Sequence, residues 1–189
     1  MVAESLTDAT PAQAAIATDR FTLRPLRGSD AGLIGLYAAD VRVARMTRNL
    51  PHPMPPGAVT AFIERSLSPK RSEDVWAIDG TIIDAPEVMG LVSLDRVDAG
   101  QSEIRFWVAP AWWNTGLASA AVQALIAANP QGCKTLFAEV FQDNPASARV
   151  LTNNGFHYLG DAESHSVARA AKVATWTYSR KLGDTLKRD

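Results

Sequence analysis

A chain of 189 residues suffices for one domain that buries roughly 70% of its unfolded surface. Its 47% hydrophobic and 21% charged residues are ordinary for a globular protein, and a net charge of −1 with no basic run argues against binding nucleic acid by bulk electrostatics. No apolar run approaches the length of a membrane span, and residues 1–17, with Glu4 and Asp8 and no basic start, read as a loose N-terminal arm, not a signal peptide.

The segment Phe21-Thr-Leu-Arg-Pro-Leu26 predicts a first strand with Phe21 and Leu23 on one face. Ser29 or Asp30 then caps a helix through Leu33, Ile34, Leu36 and Tyr37, and a second short helix covers residues 41–46. Four prolines between Leu50 and Gly57 remove donors and fix dihedrals, so this run is a loop. It leads into a helix carrying Val59, Phe62, Ile63 and Leu67. Residues 75–78 and 88–94 form a strand pair joined through Asp79-Gly80 and Pro86.

The next strand is the most informative. Ile104, Phe106 and Val108 alternate with Glu103, Arg105 and Trp107, and Pro110 ends the pleat because it cannot donate to a ladder. From Thr115 onward Leu117, Ala118, Ala121, Val122 and Leu125 recur at helical spacing. A helix start leaves unpaired N–H groups and the positive end of a dipole, so this loop can receive an anion without a basic side chain. Gly116 lets that anion approach the main chain. Neither a G-x-x-x-x-G-K-[ST] phosphate loop nor a three-glycine dinucleotide fingerprint is present.

Pro130 and Gly132 mark the stop of this helix, and residues 135–141 form a strand. Asn144-Pro145 pairs an N-cap candidate with proline at the first helical position, and the helix that follows ends at Gly155. Strands over residues 156–159 and 173–180 complete the chain. The fold class is therefore α+β: a single domain with a central mixed, mostly antiparallel sheet flanked by helices.

Two blocks resemble the GNAT superfamily of acyl-CoA-dependent N-acyltransferases. Phe106-Trp-Val-Ala-Pro110 followed by Trp113-Asn-Thr-Gly-Leu-Ala118 is similar to the family's strand and pyrophosphate loop. Residues 140–151, with Asn144 and Ser147, then Asn154-Gly-Phe156, are similar to its helix and terminal G-F. The opening Thr18-Asp-Arg-Phe-Thr-Leu-Arg-Pro-Leu26, with Ser29-Asp30, resembles the ribosomal-protein N-terminal (Rim-type) branch. The resemblance covers residues 18–182, leaving a short C-terminal tail over 183–189.

The resemblance implies acetyl-CoA as cosubstrate, a primary amine as acceptor (a peptide N-terminus or a small-molecule amine), and direct attack in a ternary complex. It places Phe106, Trp107, Val108, Trp113, Asn114, Thr115, Gly116, Leu117, Ala118, Ser119, Asn144 and Ser147 at the cofactor. Glu103 is the candidate base, with an ion-paired structural glutamate as the other reading. Leu151 stands where many relatives have a tyrosine thought to protonate the leaving thiolate, which makes Ser147 the alternative acid. That same departure keeps open a non-catalytic acyl-CoA-binding module, and pocket volume leaves a larger acyl group such as succinyl open. Trp107, Trp112 and Trp113 are candidates for the acceptor mouth, the pantetheine tunnel or plain core packing.

His52, His157 and His165 lack metal-ligand spacing, so no metal is expected. The lone Cys133 has no disulfide partner within the chain, which suits a reducing, cytoplasmic setting. Either a monomer or a homodimer is compatible with the sequence.

Overall fold

The computed structural model describes residues 12–183. Eight strands make one sheet in the order β1-β2-β3-β4-β5-β6-β8-β7. In chain order these are β1 (Ile16–Ala17), β2 (Thr22–Pro25), β3 (Glu73–Asp79), β4 (Gly90–Asp98), β5 (Gln101–Val108), β6 (Thr135–Phe141), β7 (His157–Ser166) and β8 (Ala171–Lys181). The helices are α1 (Ala31–Ala38), α2 (Val41–Ala44), α3 (Ala58–Leu67), α4 (Leu117–Ala128) and α5 (Pro145–Asn153). Every neighbouring pair of strands is antiparallel except β5 with β6. The expected α+β class with a mixed, mostly antiparallel sheet is what forms.

Alternation along the strands sorts the core into two layers. Trp76, Val92, Leu94, Ile104 and Leu136 face α4 and α5, where they meet Leu117, Val122, Leu125 and Leu151. Val75, Ala77 and Leu91 face the opposite way, against Ile34 of α1 and Ile63 of α3. Successive residues of β5 divide likewise, Phe106 packing on the first layer and Trp107 on the second. Cys133 is buried, and its thiol lies 3.2 Å from Ser102 Oγ.

Three expectations change on contact with the structure. Part of the expected arm, residues 16–17, pairs with Thr22 and Leu23 as an edge strand. Just before it, the Ala14 carbonyl accepts the indole N–H of fully buried Trp76 at 2.9 Å, a partner that such a donor needs. Residues 1–11 of that arm and nearly all of the 183–189 tail lie outside the described residues. The long helix ends at Ala128 with Asn129 as its C-cap, so the stop marked by Pro130 and Gly132 falls just ahead of them. Asn129 takes the left-handed conformation and brackets the Cys133 backbone N–H and C=O with its amide. Finally, β7 runs to Ser166, well beyond the expected residue 159. Most of its residues are exposed, so no apolar alternation announces it.

Candidate active site

The site begins where two strands part. β5 and β6 pair only over Gln101–Thr135, Ser102–Leu136 and Glu103–Phe137. Beyond these, β5 stays on β4 and β6 stays on β8. The edge of β5 facing β6 therefore carries unpaired backbone groups past Glu103, a surface on which an extended molecule with amides can add as a strand would. A cavity of about 810 Å³ occupies the gap and continues beneath α1 and α3. Ile104, Phe106, Trp107, Glu139, Val140 and Ser147 contribute to its wall.

Past β5 the chain turns through a 3-10 segment and the loop that precedes α4. Trp113 folds back so that its indole N–H donates to the Val108 carbonyl at 2.8 Å, and the Arg42 guanidinium lies 5.5 Å from its ring centroid. Asn114 and Gly116 both have positive φ, 59° and 77°. Gly116 is the N-cap of α4, and no side chain caps the helix. The first-turn N–H groups of Leu117, Ala118 and Ser119 consequently lack an intrahelical acceptor. Among the described residues, nothing beyond its chain neighbours lies within 4 Å of where a Gly116 Cβ would stand, and the loop from Trp113 to Gly116 is exposed. Arg20 Nη2 reaches the Thr115 carbonyl at 3.3 Å and brings a cation beside the loop. Sequence reading missed Arg20 as a site residue because it lies 95 positions away.

The second helix start is closed instead. Asn144 Oδ1 accepts from the Ser147 N–H at 3.3 Å, and its Nδ2 donates to Ser147 Oγ at 2.9 Å. The Ser147 hydroxyl therefore accepts from Asn144 and keeps its own proton available for a further partner. Asn154 Nδ2 donates to Ser119 Oγ at 2.9 Å and ties α5 to the first turn of α4. Leu151 is fully buried core.

Glu103 is the last residue of β5 before the strands diverge. Both of its oxygens are engaged, Oε1 by Arg48 and Oε2 by Arg105 Nη2 at 2.7 Å. Burial disfavours the Arg105 charge, yet the hydrogen bond to Glu103 and the charges of Glu103, Glu73 and Asp95 outweigh it and raise its pKa above the ordinary value. Arg48 also donates to Glu139 Oε2 at 2.7 Å, and Ser164 of β7 hydrogen-bonds the other Glu139 oxygen. One guanidinium from the loop after α2 thus bridges carboxylates from both diverging strands. Glu139 lines the cavity and Glu103 does not. Sequence reading overlooked Arg48 altogether, since 55 and 91 residues separate it from its two partners.

Of the sequence-derived residues, Phe106, Trp107 and Ser147 border the cavity, whereas Glu103, Val108, Trp113, Asn114, Thr115, Gly116, Leu117, Ala118, Ser119 and Asn144 lie outside its lining, with Asn114, Thr115 and Gly116 in an exposed loop. Among the described residues, no group of three or more His, Cys, Asp or Glu is arranged to hold a metal ion. Nor, among those residues, is any helix long and apolar enough to cross a membrane.

Residues 20–157 match the family described as acetyltransferase (GNAT) domain. No curated protein matches by sequence. Solved structures do match by shape. RimL, a ribosomal L7/L12 α-N-protein acetyltransferase in complex with coenzyme A, superposes with a TM-score of 0.77 at 15% identity, over 89% of this chain and 98% of that one. The ribosomal-protein-S5-alanine acetyltransferase from Vibrio fischeri gives 0.74 at 19% identity, covering 91% and 98%. Spermidine N-acetyltransferase from Vibrio cholerae, in complex with CoA and spermine, gives 0.68 at 16% identity, covering 85% and 95%. At such identities the likeness is one of fold. The family match itself spans most of the chain, and this protein belongs to the GNAT acetyltransferases.

Proposed function

We propose that this protein transfers an acetyl group from acetyl-CoA to a primary amine, with a peptide or protein N-terminal amine as the acceptor class. The observation that carries the reading is the uncapped, unobstructed start of α4 beside the gap between β5 and β6. Main-chain donors from Asn114 to Ser119 suit a pyrophosphate, because the helix dipole and several N–H groups favour negative charge there. The free edge of β5 at Phe106 and Trp107 suits the amides of a pantetheine arm running along it. Coenzyme A or acetyl-CoA accompanies similarly folded proteins, among them RimL and the microcin C7 self-immunity acetyltransferase MccE.

The chemistry then needs few protein groups. The amine attacks the thioester carbonyl, the C–S bond breaks, and the thiolate takes up a proton. Ser147 is the proposed donor: its oxygen accepts from Asn144, so its O–H is free to turn toward sulfur. Leu151 offers no proton. Glu103 is the proposed acceptor of the amine proton, through water, since two guanidinium groups occupy its direct approaches. Positioning supplies most of the rate gain. Cys133 is buried away from the cavity, so no covalent nucleophile is assigned, and a reducing, cytoplasmic setting suits it.

Steady-state kinetics varied in both substrates tests the mechanism. Intersecting lines are expected from a ternary complex. Parallel lines, or an isolable acetyl-enzyme, would overturn direct transfer.

A further inference from the structure

The cavity's polar groups are unevenly paired. Arg48, Arg65, Lys70, Arg71 and Arg105 are its cationic lining residues, whereas Glu73 and Glu139 are its acidic ones. Both acids are already neutralised: Arg105 lies 3.3 Å from Glu73, and Arg48 lies 2.7 Å from Glu139. Arg71 is paired with Asp74 at 2.6 Å. Arg65, on the last turn of α3, and Lys70, just beyond it, are exposed and have no ion-pair partner among the described residues.

A second observation lies in the buried wall. Among the described residues, two buried side-chain polar atoms have no hydrogen-bond partner, Arg105 Nε and Thr175 Oγ1. Both residues line this same cavity. Arg105 Nε can only donate, and a buried donor left unmade is costly. Thr175 is fully buried, and its hydroxyl can donate as well. Spare positive charge at Arg65 and Lys70 thus meets a wall that holds unpartnered donors, while both of the cavity's carboxylates are taken.

We propose that the acceptor is an amine that also carries a carboxylate, seated with its anionic group toward Arg65 and Lys70. The inference rests on the acetyltransferase reading above and assigns the acceptor to the part of this cavity beneath α1 and α3, beyond the β5 edge given to the pantetheine arm. It sets aside polyamines, whose second ammonium group would meet the same unpaired cations without a free carboxylate to receive it. Two sources share the chemistry: a free amino acid through its own carboxylate, and a peptide through an acidic side chain close behind its α-amine.

Calorimetric titration of acetylated products into the CoA-saturated protein separates these cases. The probes are N-acetyl-Ser-Asp-amide against its Asn and Lys counterparts, and N-acetylglutamate against N-acetylglutamate α-amide. Charge-assisted hydrogen bonds predict at least about tenfold tighter binding of the acid in one matched pair, with the advantage shrinking as salt rises. The pair that shows it names the source. In the folded double variant Arg65→Gln/Lys70→Gln the advantage should fall to about twofold or less. Equal or tighter binding of the neutral or lysine probes overturns the proposal, as does no binding of any probe, or a preference untouched in the double variant. Thiol release from acetyl-CoA with the unacetylated amines tests the transfer reading separately. A carboxylate preference in binding without thiol release from any amine counts against catalysis alone; turnover indifferent to acceptor charge counts against this proposal alone.

Discussion

Gly116 governs the proposed phosphate site through one dihedral angle. Its φ of 77° lets the chain enter α4 with no side chain capping the first turn, and no described atom beyond its chain neighbours lies within 4 Å of where its Cβ would stand. An aspartate there would add left-handed strain and set a carboxylate against the phosphates. Gly116→Asp should weaken acetyl-CoA binding by about 2–4 kcal/mol, a factor of roughly 30 to 1,000, read by calorimetry on a variant with a cooperative melt. Asn114 supplies the control. Its φ of 59° also lies in the left-handed region, so alanine would introduce strain of about 1–2 kcal/mol, whereas Asn114→Gly keeps both the conformation and the backbone donor. Asn114→Gly should leave affinity within about threefold of the parent. A folded Gly116→Asp that binds like the parent would move the anion site elsewhere. The residue types of this loop were readable because helix-start chemistry is local. The engagement of Glu103 by Arg48 was not, since it depends on a loop returning from 55 residues away.

At the scale of elements, the segment after α2 is fastened to the far half of the sheet. Arg169, in the turn between β7 and β8, donates to the Arg45 carbonyl at 2.7 and 3.0 Å and to both Asp143 oxygens at 2.7 and 3.0 Å. Its guanidinium also lies 4.9 Å from the Phe141 ring centroid. The Val167 N–H donates to the Arg48 carbonyl at 2.9 Å, so the same turn holds the residue that bridges Glu103 and Glu139. Arg169→Ala should loosen this fastening without touching α4. The expected outcome is an acceptor KM raised about three- to tenfold with acetyl-CoA affinity unchanged, a loss of about 0.7–1.4 kcal/mol in positioning. Faster amide exchange at Val167 should accompany it. An unaltered acceptor KM would show that the turn does not order the acceptor side. One end of this clasp is the turn that joins β7 to β8, and the polar, exposed composition of β7 concealed where that strand ends.

For the molecule as a whole, the sheet's first half is pinned by a buried charge cluster. Arg24 Nε donates to Asp79 at 2.5 Å, and its two terminal nitrogens donate to Asp30, each at 2.9 Å. Burial works against ionisation of Asp79, but hydrogen bonds from Arg24 and Thr81 prevail and hold its pKa below the ordinary carboxylate value. A carboxyl depressed in the folded state binds its proton more readily when unfolded. It therefore contributes stability above the unfolded pKa of about 3.9, and that contribution is lost as pH falls from there through the folded value. Asp143, held down by the Arg169 hydrogen bond, acts in the same direction, but its half-exposed side chain makes it the weaker contributor. Asp79→Asn should cost up to about 3 kcal/mol at neutral pH and flatten the fall in stability below about pH 4. Denaturant unfolding at several pH values measures both. An acid limb as steep as the parent's would assign acid sensitivity to other carboxylates.

Local chemistry made much of this protein legible from sequence. Alternation in β5, the Asn144-Pro145 helix start, the glycine before α4 and the four-proline loop each express a preference of a few adjacent residues. Such preferences act before the chain is packed. Their order along the chain sufficed for the fold class and for the family resemblance that the match over residues 20–157 shows. What tertiary structure decided are relations between distant residues: the three-pair limit of the β5–β6 ladder, the Arg48 bridge, and a cavity whose carboxylates are both paired while Arg65 and Lys70 find no ion-pair partner among the described residues. Charge in that cavity depends on which partner each side chain finds in three dimensions. A composition close to neutral carries no trace of it, because opposite charges that cancel over the chain need not cancel at one site.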